Sequence, residues 1–159
     1  MVKEEDLDPL FRYRDRVTND PLRISILGAH ALIEELIELV IAEAVPNSEC
    51  FRVPKMQFRQ KLEIIRALEI PAEAAKGFER HALLWKCIDK LNQLRNAAAH
   101  RNYETLRDKR FTELANLLHP DSASQVAHDW GTLLEEVTEI CAGALMGMQD
   151  TFRRLRQGS

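Results

Sequence analysis

Apolar residues recur at intervals of three and four in several separate stretches of this chain, and no stretch sustains the period-two alternation of a half-buried strand. That pattern admits helices and little else. The longest stripe is Leu22, Ile26, Ala29, Ile33, Leu36, Val40 and Ala44. Asn19-Asp20-Pro21 opens it, because Asp20 can accept from free amides and Pro21 fits a first helical turn without losing a bond. Pro46-Asn47-Ser48 closes it. Leu27 and Ala31 lie off this stripe, so the helix is expected to be covered twice, by its own core and by a neighbour or partner chain. A second helix is expected to open at Pro54, with Phe58, Leu62, Ile65 and Leu68 on one side, and to break at Ile70-Pro71. The central helix runs from after Gly77 to about Tyr103, and Glu104 to Leu118 allows a short or irregular helix. Ser122 and Gln125 match a capping box ahead of a last long helix carrying Val126, Trp130, Leu133, Val137, Ile140 and Ala144. Leu7, Leu10 and Phe11 allow a further short helix over residues 5 to 17. A chain of 159 residues, 45% hydrophobic, is the length of one domain with a substantial core. The expected architecture is all-α: an up-and-down bundle of about five main helices in one domain over residues 1–159, with its core over about 20–156.

The central helix carries the chemistry. Leu84, Ile88, Leu91 and Ala98 form its apolar stripe, and Arg95 falls inside it. A guanidinium turned toward a core requires something negative, a carboxylate such as Glu34 or Glu38 or a bound anion. Asn92, Asn96, His100 and Tyr103 form a polar stripe beside it, at offsets of four, four and three. Between Arg95-Asn96 and His100 stand three alanines, a shallow surface open to another backbone or a phosphate. A structural reading stands beside this one, with Arg95 paired to an acid and His100 complementing the helix dipole.

Leu94-Arg95-Asn96-Ala97-Ala98-Ala99-His100 resembles the signature of the HEPN superfamily, in which an Arg, a polar residue and, after four to six intervening positions, a His lie late in a long helix of an all-helical bundle. Five positions along a helix separate Arg95 and His100 by about 140° and about 7.5 Å of rise, so one motif does not converge on one atom. The resemblance implies that two motif helices meet about a twofold axis and share a cleft. It implies a metal-independent endoribonuclease, toxin or defence related, in which the RNA 2′-hydroxyl attacks the adjacent phosphate. His100 would move protons, since an imidazole does so near neutral pH. Arg95 would hold the phosphorane oxygens, and Asn96 would orient the His or the phosphate. Tyr103, Arg101 and Lys90 are the candidate RNA contacts. Some toxin members carry a modifiable Tyr two residues after the His; this chain has Asn102 there and Tyr103 one later. The alternative is a catalytically silent helical dimer that binds a protein partner or regulates a neighbouring gene product; the partners to expect are a second copy, RNA, and a protein partner or antitoxin.

Composition narrows the rest. A net charge of −3 and a pI near 6.0 argue against a general nucleic-acid coat. Locally, Lys86, Lys90, Arg95, Arg101, Arg107, Lys109 and Arg110 outnumber Asp89, Glu104 and Asp108, enough to steer a phosphodiester to one region. Cys50, Cys87 and Cys141 form no CxxC pair and are expected to be reduced, in keeping with a cytoplasmic setting. No Glu-x-x-His, HExxH or phosphate loop occurs, so neither metal nor cofactor is expected, and His30 with Glu34 is expected to be a helix-surface pair. The N-terminus is acidic where a signal peptide would be basic, and the most apolar segment carries Glu34, Glu35, Glu38 and Glu43, too many charges for a membrane span.

Overall fold

The computed structural model describes residues 19–68, 78–100, 102–121 and 129–158. Five α-helices pack there as a bundle, with no strand among the described residues: α1 Pro21–Ala44, α2 Phe58–Ala67, α3 Phe78–Ala99, α4 Tyr103–Leu118 and α5 Trp130–Gln157. The expected helix over residues 5–17, the Ser122 and Gln125 capping box, and Val126 lie outside the described residues. No helix among those described is long and apolar enough to cross a membrane.

The start of α1 follows from local chemistry. Asp20 is its cap, its side chain accepting from the Arg23 amide, with Pro21 in the first turn. Asp129 caps α5 in the same way, accepting from the Thr132 amide at 3.1 Å. Three boundaries differ from the periodicity. Pro54 sits in a 3-10 turn, Val53–Lys55, and α2 starts only at Phe58, behind a Gln57–Gln60 capping box. Residues 103–118 form a regular 16-residue helix. The central helix stops at Ala99 instead of Tyr103, because the His100 backbone amide turns back to donate to the Ala97 carbonyl at 3.0 Å and Tyr103 begins a new helix.

Contacts fix the senses of the helices. Arg23 reaches His100 at one end of α3 while His30 meets Asn92 further along, so α3 runs against α1. Arg110 with Gln93 and Lys90 with Glu113 set α4 against α3. Ser25 and Gly131 line one hollow while Arg153 meets Glu43 at 3.3 Å at the far end, so α5 runs with α1. Between them lies a core that includes Ile26, Ile33 and Ile37 of α1, Leu84, Ile88, Leu91 and Leu94 of α3, and Val137 and Leu145 of α5. A fully buried Ile or Leu contributes about 1.5–3 kcal/mol, against about 0.3–0.5 kcal/mol for an exposed helical ion pair such as Arg59–Glu63. The apolar stripes hold the bundle together. Cys87 and Cys141 are free, buried thiols, and Cys50 is an exposed one. The neighbouring Cys87 thiol of α3 and burial together push the Cys141 thiol of α5 up.

Candidate functional site

The C-terminal end of α3 carries the candidate residues. Arg95 is exposed, a departure from its expected place in the apolar stripe. The buried stripe also takes in Cys87, Leu94 and Ala97, which shifts its centre toward Leu94 and leaves Arg95 on the rim. Its guanidinium donates to Asn96 Oδ1 at 3.1 Å, and no carboxylate pairs with it among the described residues. The expected partners Glu34 and Glu38 are engaged elsewhere: Lys61 Nζ of α2 donates to both Glu34 Oε1 and Glu38 Oε1 at 2.5 Å. Lys61 is 2% exposed. Burial alone pushes its ammonium down, but the hydrogen bonds to Glu34 and Glu38 outweigh that and hold it above its ordinary value.

His100 is exposed, just beyond the last turn of α3. Its backbone is held from an element the sequence did not implicate. Arg23, in the first turn of α1, is 5% exposed, and its Nε donates to the Ala98 carbonyl at 2.5 Å while Nη2 donates to the His100 carbonyl at 3.1 Å. These are carbonyls a helix terminus leaves without intrahelical partners, and the cation also faces the negative end of the α3 dipole. Arg23 lies 5.0 Å from the centroid of the Tyr103 ring, with Arg107 at 5.9 Å. The turn presenting His100 is thus clamped by a buried guanidinium.

Tyr103 does not share the polar stripe of Asn96 and His100. It is 1% exposed, and its hydroxyl is buried with no hydrogen-bond partner among the described residues. Burial pushes that phenol up to about 12. The break after Ala99 resets the helical phase, so a side chain placed on the surface by an unbroken helix turns inward. Its ring is not available to a base or ribose in this structure. Lys90 is partly exposed and its ammonium donates to Glu113 Oε2 at 2.8 Å, beside Arg110 at 3.0 Å from the same oxygen. Arg107 pairs with Asp108 at 2.9 Å. The local excess of basic residues is therefore smaller than the sequence suggests, since Glu113 lies outside the window of residues that formed it. Arg101 lies outside the described residues.

Asn92 turns inward, accepting at Oδ1 from His30 Nε2 at 3.3 Å. His30 is buried rather than a surface partner of Glu34; its Nδ1 lies 3.9 Å from Glu34 Oε2 and its ring centroid 4.4 Å from that of Phe58. Burial pushes the imidazole below its ordinary value, Glu34 opposes that, and the nearby Arg95 charge adds to it. A neutral His30 thus joins α1 to α3 one turn below Arg95. No group of three or more His, Cys, Asp or Glu suited to a metal occurs among the described residues.

The sequence did hold a signal for Arg23. A charge on an apolar stripe demands a partner, and the rule applied to Arg95 applies equally to Arg23, three positions before Ile26, and to Lys61, beside Leu62 and Ile65. The arrangement can present one unneutralised guanidinium and one imidazole to solvent on a rigid turn. No protein-family model, curated protein or solved structure matches this chain.

Proposed function

We propose that the chain is a HEPN-like, metal-independent endoribonuclease whose cleft forms where two copies bring their Arg95 and His100 residues together. One observation carries the reading: Arg95 and His100 both face solvent at the end of α3, and Arg95 has no carboxylate partner among the described residues. In this reading the 2′-oxygen of RNA bonds to the adjacent phosphorus and the bond from phosphorus to the 5′-oxygen breaks. One His100 takes the proton from the 2′-hydroxyl, and its counterpart gives a proton to the departing 5′-oxygen. The products are a 2′,3′-cyclic phosphate and a free 5′-hydroxyl. Arg95, oriented through Asn96, meets the charge growing on the phosphoryl oxygens.

The test is incubation of the purified protein with end-labelled single-stranded RNA in the presence of chelator. Cutting is expected to persist, to leave cyclic phosphate ends, and to fall about 10²–10³-fold in both Arg95→Ala and His100→Ala while their melting temperatures hold. Intact RNA throughout would leave the second reading, a catalytically silent helical interaction module, which the exposed apolar side chains Leu32, Leu39 and Met146 favour.

A further inference from the structure

We infer that the groove between α1 and α5 is a docking site for a basic amphipathic helix of a protein partner. The inference is independent of the ribonuclease reading. Gly28 and Ala29 of α1 and Gly131 and Leu134 of α5 line a hollow of about 350 Å³. A Cβ added at Gly28 would meet nothing within 4 Å, so the hollow is open above it. On α1 the face that carries Gly28 continues past Leu32, 43% exposed, to Leu39, 41% exposed, and Met146 of α5 is 57% exposed. From Gly28 to Leu39 this face is about 16 Å long, three helical turns. Apolar positions spaced so suit a helix that presents side chains at i, i+4 and i+7.

The polar lining selects the sign of the occupant. Ser25 Oγ donates to the Pro21 carbonyl and Thr138 Oγ1 to the Leu134 carbonyl, so both hydroxyls offer the hollow only lone pairs. Glu135 and Glu139 complete the rim, and Glu35 stands one turn beyond Leu32. Every other acid of α1 and α5 has a basic partner: Glu34 and Glu38 with Lys61, Glu43 with Arg153, Glu136 with His119, Asp150 with Arg154. Glu35, Glu135 and Glu139 have none among the described residues. A groove with an apolar floor and an acceptor-only, anionic rim fits Arg or Lys side chains, whose stems are apolar and whose heads only donate. At the basic end of α5, Arg153 and Arg154 are already paired, with Glu43 and Asp150, and are not spare for the groove of a second copy. Leu32 lies about 160° around α1 from His30, so a helix in this groove leaves the Arg95 side open.

The test uses the full chain and two synthetic helical peptides with Leu at positions one, four, five and eight, one carrying Arg between them and the other Glu. Backbone amide shifts of Gly28 and Gly131 report on the hollow. The Arg peptide is expected to give saturable shifts that weaken about tenfold in Glu135→Gln/Glu139→Gln and weaken with added salt. The Glu peptide is expected to give none. Gly28→Phe fills the hollow without touching the core and is expected to abolish binding at an unchanged or higher melting temperature. Equal binding of both peptides, or no saturable shift, overturns the proposal. So does a dimer, seen by sedimentation, that Gly28→Phe converts to monomer, since a second copy would then own the groove.

Discussion

At the scale of single residues, Arg23 and Tyr103 decide where the motif sits. Arg23 spans two carbonyls that a helix end leaves open, and a side chain that cannot donate abandons both in a largely buried place. Arg23→Met is expected to lower unfolding free energy by about 2–4 kcal/mol in urea titrations. Arg23→Lys should recover only part of that, because one ammonium lacks the fork that reaches both oxygens. A loss below about 0.5 kcal/mol would mean the clamp is ornamental. Tyr103 is the opposite case, a buried hydroxyl with nothing to bond. Tyr103→Phe keeps the ring beneath Arg23 and removes the orphan, so stability at pH 7 is expected to stay level or rise. The phenol ionises near 10 when unfolded and near 12 when folded, so the native protein is stabilised below pH 10 and loses that stability as pH rises toward 12. Over that window the wild-type protein should lose about 2–3 kcal/mol relative to Tyr103→Phe, and parallel curves would refute the assignment.

At the scale of elements, the link between α1 and α2 rests on Lys61. Two partly exposed carboxylates meet one buried ammonium, and removing that ammonium leaves like charges adjacent. Lys61→Met is expected to cost about 3 kcal/mol, and combining it with Glu34→Gln and Glu38→Gln should restore most of the loss. Additive losses across the set would show that packing, not charge, explains the effect. The same residues show what could be read from the chain. Ile26, Ile33 and Val40 lie buried where spacing put them, and so do Leu84, Ile88 and Leu91, because a helix buries whatever its 3.6-residue period aligns. The end of α3 could not be read that way. Residues 100–103 include no proline or glycine, and the turn that ends the helix is held by a guanidinium 77 residues earlier in the chain, which reaches the His100 carbonyl. The site residues shared that fate: Arg95 and His100 lie at the surface, while Tyr103 followed the new helix inward.

At the scale of the whole molecule, the proposed activity requires two chains, since Arg95 and His100 diverge along one helix. Light scattering at micromolar concentration is expected to give twice the chain mass; a monomer would remove the shared cleft. Refolding wild-type chains together with an excess of His100→Ala chains should lower the RNA cutting per wild-type chain, because each mixed cleft keeps only one of the two His100 residues that the step uses. Unchanged cutting per wild-type chain in a mixture that still pairs would argue that each chain acts by itself. Local geometry repeated along the chain is enough to read its helices, most of the apolar stripes of α1 and α3, and an Arg and a His five positions apart. Which cation is buried and which faces water comes from how the helices pack. Arg23, Lys61 and Arg95 all border apolar stripes, and the contest among them for carbonyls and carboxylates is settled by which helices meet, not by the spacing within any one of them.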